Sequence, residues 1–432
     1  MKSKYLIIVS FDAVGSSDLE NLKFMPNFKK VIEKGAYIKK VKSIYPTLTY
    51  PAHTTIITGK YPKNHGIIDN TIFKKGNLHP NWYWFSKYIK GKTIIDIAKE
   101  KGMRTCSILW PVTGRADIEF NFPEIFPVKK HQNQILMSLY AGSFYYQYKL
   151  NKKYGSIRRG IEQPNLDNFV LKCMEDTINN EKPELMLVHF TDVDTIKHLY
   201  GATSNEAKDA VKRQDERLGK ILDCLHKNNI LSETDLIILG DHGAKDVSKV
   251  IRINKLFVDK GFIKVSKKNN KLLEYDAICK SLDGSAYIYL KNPKSERTKK
   301  AVEKLLHDFK EKESGIEEVL DNEKIILEGA DKNAAFMLEA KEGYYFIDEY
   351  GGDVIEKINA EDVGRDNHKY RGIHGYSPNK ENYTTFFIGL GKDFKEGLTL
   401  EEGKLINHGP TIAKLLGGEL EDCDGEAEDI LT

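Results

Sequence analysis

Short apolar runs alternate with longer amphipathic stretches along the chain. The clearest runs are YLIIVSFD (5–12), TCSILWP (105–111), ELMLVHFTD (184–192), DLIILGDHG (235–243) and TTFFIGLG (384–391). Their apolarity is continuous rather than alternating, which predicts strands buried on both faces, as in a parallel sheet. Helical patterns lie between them: FMPNFKKVIEKG (24–35), KTIIDIAKEKG (92–102), NFVLKCMEDTINN (168–180) and NEAKDAVKRQDERLGKILDCLHKN (205–228). Gly35 and Gly102 stand where helix C-termini should stop. The alternation predicts an α/β fold with a doubly wound, mostly parallel sheet.

The stretch 246–367 breaks this pattern. AYIYLKN (286–292), the charged helix TKKAVEKLLHDFKEKE (298–313) and AAFMLEAKEGYYFIDEY (334–350) read as a small α+β insertion, a cap set into a core of 1–245 and 368–432. The cap is expected to pack over the site without contributing strands to the main sheet. The C-terminal tail holds one helix, HGPTIAKLLGG, and ends acidic, so it is expected to be mobile.

Composition narrows the class. With 66 Lys and Arg against 63 Asp and Glu, the net charge is +3. That balance argues against a protein built mainly to grip nucleic acid, so no stable nucleic-acid partner is expected. The five cysteines are scattered and lack CxxC spacing. They read as free thiols in a reducing compartment rather than a disulfide framework or thiolate zinc site. The apolar run at the start is shorter than the roughly 7–15 residues of a secretory core. No run approaches the ~20 apolar residues of a membrane span. The expectation is a cytoplasmic protein with no membrane partner.

Acidic and histidine residues gather at the predicted strand ends, where open α/β sheets bind ligands. Asp12 ends the first run. Asp192 and Asp194 follow the third, with His198 four residues after Asp194. Asp241 and His242 end the fourth, and His374 precedes the last. Singly, such an Asp is most often a helix cap and such a His a satisfied core residue. Together, three of these aspartates and the three histidines form the oxygen and nitrogen donor set that zinc, manganese or iron accept. The segment SIYPTLTYPAHTTIITGKYPKNHG (43–66) supplies a second element. Pro51 suits a first helical turn and Gly59 a helix end, which puts Thr49 at a helix N-terminus, a place that favours phosphate. A plain N-cap is the alternative role for Thr49. The aromatic clusters NWYWF (81–85) and SFYYQY (143–148) suit base stacking, contact with an acyl chain, or plain packing.

TYPAHTTIITGKYPKNHGIIDN (49–70) resembles the nucleophile region of the type I phosphodiesterase/nucleotide pyrophosphatase family of the alkaline phosphatase superfamily. SFDAVG, WPVTG (110–114), DVDTIKHLYG, GDHG and GIHGY resemble further segments of that family and fall in its order. The resemblance implies an alkaline phosphatase-like core holding two divalent transition metals, zinc first, with manganese or iron as alternatives. Asp194, His198 and His374 would bind one; Asp12, Asp241 and His242 the other, with Thr49 beside it as nucleophile and ligand. Asp192, His53 and His65 fall outside that set. The implied activity is hydrolysis of a small phosphodiester or nucleotide through a covalent phospho-threonine. A phosphomonoesterase, a phosphonate hydrolase and a non-catalytic binding protein are the alternatives. Nucleotide-hydrolysing members commonly carry Asn where this chain has Ala52. Asn70 or a main-chain N–H then stands in as donor to the phosphate, or the substrate differs.

Overall fold

The computed structural model describes residues 2–74, 76–77, 80–312, 315–364 and 369–432. The strand Tyr5–Phe11 is central to an eight-stranded sheet. In order across that sheet lie Thr399–Lys404, Ala36–Lys42, Thr385–Leu390, Thr234–Leu239, Tyr5–Phe11, Leu185–Phe190, Thr105–Ile108 and Phe120–Phe122. The five strands from Thr234–Leu239 to Phe120–Phe122 run parallel to one another. Thr385–Leu390 runs antiparallel to both of its neighbours.

Side chains alternate across the first strand, as a two-residue period requires. Ile7, Val9 and Phe11 enter one apolar layer with Val31, Leu150, Phe169 and Leu218, which come from four helices. Leu6 and Ile8 enter the opposite layer with Ile56, Ile57, Ile97 and Ile412. Helices thus cover both faces, the doubly wound arrangement that continuous apolar strands require.

The helix Ile94–Glu100 opens on a capping box, in which Thr93 and Asp96 satisfy each other's backbone N–H groups. Gly102 beyond it takes φ +70°, but Gly35 ends the helix Pro26–Lys34 in extended backbone. Gly35 is needed for room: a Cβ there would lie 2.5 Å from the Gly389 carbonyl oxygen.

Among the described residues, no strand between 246 and 367 joins the eight-stranded sheet. A four-stranded sheet comprises Ala277–Leu282, Ser285–Leu290, Phe336–Ala340 and Ile316–Asp321. The strand Lys245–Ile251 pairs with Gly343–Phe346, Ile355–Lys357 and Gly372–Ile373. Ile373, Tyr376 and Tyr383 pack in the apolar cluster of these smaller sheets, so the main sheet resumes only at Thr385. The boundary placed between 367 and 368 lies outside the described residues.

The acidic tail is docked rather than mobile. Asp424 accepts from the Tyr61 N–H at 2.8 Å and from the Asn64 amide, and Glu428 accepts from Asn407. Ile430 is fully buried. Asp424 and Glu428 thus meet specific donors instead of water alone, and the buried Leu420 and Ile430 anchor the segment on either side of them.

Candidate active site

Most of the residues singled out above meet at one end of the parallel strands. Asp12 follows Phe11 and donates its N–H to the Phe190 carbonyl. Asp241 and His242 follow the strand Thr234–Leu239 by two and three residues. Asp192 and Asp194 lie in the first turn of the helix Asp192–Tyr200, after a strand that ends at Phe190. The four-residue spacing puts Asp194 and His198 on one helix face. His374 follows the short strand Gly372–Ile373. Thr49 is the first residue of the helix Thr49–Thr58, which ends at Gly59 in the left-handed conformation.

The three histidines share one orientation. His198 Nδ1 donates to the Gly372 carbonyl at 2.8 Å, His374 Nδ1 to Thr47 at 3.1 Å, and His242 Nδ1 to Gly243 at 3.1 Å. Each backbone partner takes the Nδ1 proton and turns Nε2 toward the carboxylates, the arrangement of metal-ligating imidazoles. All three Nε2 atoms face carboxylates. His198 and His374 lie 3.3 and 3.5 Å from Asp194 Oδ1. His242 lies 3.1 Å from Asp241 Oδ2, 3.5 Å from Asp12 Oδ1 and 3.3 Å from Thr49 Oγ1. The His242 and His374 rings stack at 4.0 Å, which places the two groups side by side. Asp194, His198 and His374 close within 4.8 Å, and so do Asp12, Asp194 and His242. Asp194 therefore sits between the two groups, and Asp241 joins the second through His242.

Electrostatics and hydrogen bonding both fit a cation here. Asp12 Oδ1 and Asp241 Oδ2 are buried without a hydrogen-bond donor. Buried, unpaired carboxylate oxygens are costly unless paired or metal-bound. Burial, then Asp241 and Asp194, push the Asp12 carboxyl well above its ordinary range. Burial pushes Asp241 up to about 6. Burial also holds His242 down at about 4 and His374 at about 3, so both are neutral, the form that ligates metal. His198 differs: burial opposes its charge, but Asp194 beside it prevails and raises it to about 9.

The residues left outside the ligand set have structural partners. Asp192 is fully buried and accepts from Arg213 and Arg217 at 2.7–2.8 Å. His53 donates through Nδ1 to the Thr49 carbonyl and accepts at Nε2 from Ser10, which ties the start of the nucleophile helix to the sheet. His65 bonds Thr55 and the Ile67 N–H.

Several supporting residues escape the motif reading. His189 points Nε2 at Asp12 Oδ2, 3.1 Å away, and Nδ1 at the Leu109 carbonyl and Glu124. Burial opposes its charge, but Asp12 and Glu124 raise its pKa well above the ordinary histidine value. A histidine inside the otherwise apolar run LMLVHF was the available signal. Lys197 is buried and donates to the Ala13 carbonyl and to Asp18, while Asp241 Oδ1 accepts from the Ala13 N–H. Ala13 is held at φ +57° between them. The smaller sheets also reach the site. The Gly284 N–H donates to the His374 carbonyl at 2.8 Å, and Lys280 lies 3.3 Å from Asp69, the residue before Asn70.

The mostly parallel, doubly wound sheet that carries this acid and imidazole cluster at its strand ends is an alkaline phosphatase-like fold. The family model for type I phosphodiesterase / nucleotide pyrophosphatase matches residues 6–377, and the chain belongs to that family. Human ectonucleotide pyrophosphatase/phosphodiesterase family member 1 is 28% identical over 256 residues, 56% of this chain and 24% of that protein. Venom phosphodiesterase 2 of Crotalus adamanteus is 30% identical over 250 residues, 56% of this chain and 27% of that protein. The aligned part thus spans about a quarter of these curated relatives. Among solved structures, human ectonucleotide pyrophosphatase / phosphodiesterase 5 superposes with TM-score 0.68 at 20% identity, over 99% of this chain and 100% of that one. An inactive threonine-to-alanine variant of the murine protein, in complex with AMP, gives TM-score 0.66 at 18% identity over the whole of both chains.

Proposed function

We propose that the chain hydrolyses phosphodiester or pyrophosphate bonds of nucleotide-sized substrates through a covalent phospho-Thr49. The carrying observation is the convergence of three histidine Nε2 atoms and the unpaired carboxylate oxygens of Asp12 and Asp241 beside Thr49 Oγ1. Asp194, His198 and His374 would hold one divalent metal; Asp12, Asp241 and His242, with Thr49, the other. Zinc leads by donor type, with manganese or iron as alternatives. When bound, such a pair stabilises the attacking and leaving oxygens of an in-line displacement.

Thr49 attacks phosphorus with Oγ1, forming the Oγ1–P bond as the bond to the leaving oxygen breaks. Water then attacks the phospho-threonine, releasing the phosphate product and restoring the hydroxyl. His53 keeps the backbone of Thr49 fixed through both displacements. Asn70 fits the role of donor to a non-bridging oxygen. Its Oδ1 accepts from the Tyr50 N–H at 2.9 Å, so its NH2 is the free end. Of the neighbouring main-chain donors, Tyr50 N–H is used by Asn70, Ala52 N–H by the Leu48 carbonyl, and Pro51 has none, which leaves the Thr49 N–H at the start of the helix to act beside the Asn70 amide. Ala52 itself is fully buried in an apolar layer.

A diester rather than a monoester fits the charges. A monoester carries an extra negative charge that a neighbouring Lys or Arg should meet. Of the basic residues near the motifs, Lys63 donates to the Ile326 carbonyl, Arg115 lies over Tyr140, and the Lys60 side chain lies against Gly91. Residues 246–367 read as a cap that braces the site through Gly284 and Lys280. The five thiols suit a reducing, cytoplasmic compartment. The AMP complex of the murine structural neighbour supports a nucleotide as the substrate class. The test is a rate comparison of an aryl diester and its matching monoester at one pH and metal loading. The diester should lead by at least about tenfold in kcat/KM, or ~1.4 kcal/mol. A monoester preference would sink the diesterase reading.

A further inference from the structure

Residues 125–161 contain seven Lys and Arg and no Asp or Glu, in a chain whose net charge is only +3. Seven of the twelve exposed large hydrophobic residues among the described residues lie in this same stretch. It folds as two consecutive helices, Gln134–Ala141 and Phe144–Tyr154. Ile135, Leu136, Tyr140, Phe144, Tyr145 and Tyr148 project outward, from 54% exposed at Tyr148 to 75% at Tyr145. The inner face of the second helix is conventional: Tyr146 and Leu150 enter the main core. Its outer face is apolar from Phe144 to Tyr148, a little over one turn, and then polar and basic at Asn151, Lys152 and Lys153. A helix on the surface of a soluble domain normally shows water a polar face.

We infer that this helix pair is a docking surface for an anionic lipid bilayer. Apolar and aromatic tips flanked by Lys and Arg are the composition of interfacial segments, which bury side chains at the headgroup boundary while basic groups meet lipid phosphates. The cations at the margins are available. Lys129, Lys130, Lys152 and Arg159 have no acidic partner among the described residues, whereas Lys149 and Lys153 pair with Glu181 and Asp176. A second copy of the chain fits less well, because a two-fold contact would set one acid-free basic stretch against another. Single-stranded nucleic acid would use the aromatics, but the aliphatic tips Ile135 and Leu136 offer no stacking plane. The expected absence of a membrane partner rested on the lack of a spanning run. No helix among the described residues is long and apolar enough to cross a membrane, and a peripheral contact needs none.

The surface is continuous with the site. Tyr140 meets Phe85 at 6.1 Å, and Trp84 and Trp82 both pack on Phe126. Trp82 meets Tyr50, the residue after Thr49, at 5.1 Å. Docking would therefore bring the aromatic margin of the Thr49 region towards the bilayer.

The test is sedimentation of the full chain with phosphatidylcholine vesicles, with and without phosphatidylglycerol. Wild type should partition onto the anionic vesicles at least about tenfold better, and high salt should weaken that preference. The double variant Leu136→Glu/Tyr145→Glu should lower binding at least about tenfold. Lys130→Glu/Lys152→Glu should remove the preference for the anionic vesicles. Both variants should keep wild-type thermal unfolding and hydrolysis of a soluble diester, since none of the four residues is in the site. Wild type left in the supernatant with anionic vesicles would overturn the inference, as would wild-type binding by both variants. A dimer dissolved by Leu136→Glu, or capture of single-stranded RNA without vesicle binding, would assign the surface elsewhere.

Discussion

The ends of the parallel strands and the helix pair at 134–154 depart from ordinary globular patterning in opposite directions. At the strand ends the chain buries charge: Asp12, Asp241, His242 and His374 are all buried, and two carboxylate oxygens have no donor. On the helix pair it exposes apolar surface that a soluble domain usually keeps inside. Each departure costs folding stability, and departures of this kind concentrate where a protein meets something else. The sign of the mismatch tells what is missing. Buried, unpaired carboxylates call for a cation; exposed apolar tips among Lys and Arg call for an apolar medium with an anionic margin.

Breaking the strand-end site should have the largest effect. Thr49→Ala is expected to lower turnover by at least about a thousandfold, since the proposed phospho-enzyme forms on the Thr49 hydroxyl. Metal content should stay near two per chain, because the proposed assignment gives the metals six other side chains. Retention of more than about a tenth of the wild-type rate would remove Thr49 from the nucleophile role. Exhaustive chelation should abolish activity, and zinc or manganese should restore it. Full activity after chelation would end the two-metal reading.

The two halves of the site can be separated by their metals. Asp241→Asn and His374→Ala should each lose about one metal per chain, from different sites, as measured by elemental analysis. Unchanged content in either variant would remove that residue from the ligand set. Asp194 lies between the groups, so Asp194→Ala should weaken both.

Asp192 sharpens the contrast between charge buried for a ligand and charge buried for the fold. It stands two residues from Asp194 but is closed off by Arg213 and Arg217. Asp192→Ala leaves the buried Arg217 without its main partner and should cost about 3 kcal/mol of stability. The folded fraction should keep its metals. Calorimetry beside metal analysis decides this, and loss of metal without loss of stability would reverse the assignment.

Much of this was legible in the chain, and the misses have physical causes. Runs buried on both faces announced the central strands. The strand Ala36–Lys42 and the edge strand Thr399–Lys404 beside it were missed because their partly exposed faces carry Lys and Glu. By position alone Asp192 matched Asp194, and only the family resemblance set it aside; the fold supplies the reason in Arg213 and Arg217, one helix away. His189 was hidden by its apolar neighbours. The tail was misjudged because acidity predicts solvation only where no donors wait, and Tyr61, Asn64 and Asn407 supply them. The aromatic cluster at 143–148 was visible, but which members face outward is set by the seam with Asn165–Asn180.

That seam gives the smallest expected effect, and it tests whether the exposed helix is held by the fold rather than by what it docks on. Lys153 and Tyr154 donate to Asp176 Oδ2 at 2.5 and 2.9 Å, clamping the second helix of the pair to the helix Asn165–Asn180. Burial pushes the Asp176 carboxyl up, but the bonds from Lys153 and Tyr154 and the charge of Lys149 outweigh it, so its pKa falls below the ordinary value. A lowered carboxyl pKa stabilises the fold where the unfolded carboxyl is ionised, above about 3.9. That contribution is lost as pH falls through the folded value. Asp176→Asn should therefore cost about 1 kcal/mol or less near neutral pH, because both lysines are partly exposed and their pairs are screened. The gap between wild type and variant should shrink as pH drops below about 3.9 and stay constant above about pH 6. Denaturant unfolding across that range measures it. A gap that persisted at the acid end would show that Asp176 acts through shape and hydrogen bonding rather than charge, and a gap of zero at neutral pH would leave the helix held by Tyr146 and Leu150 alone.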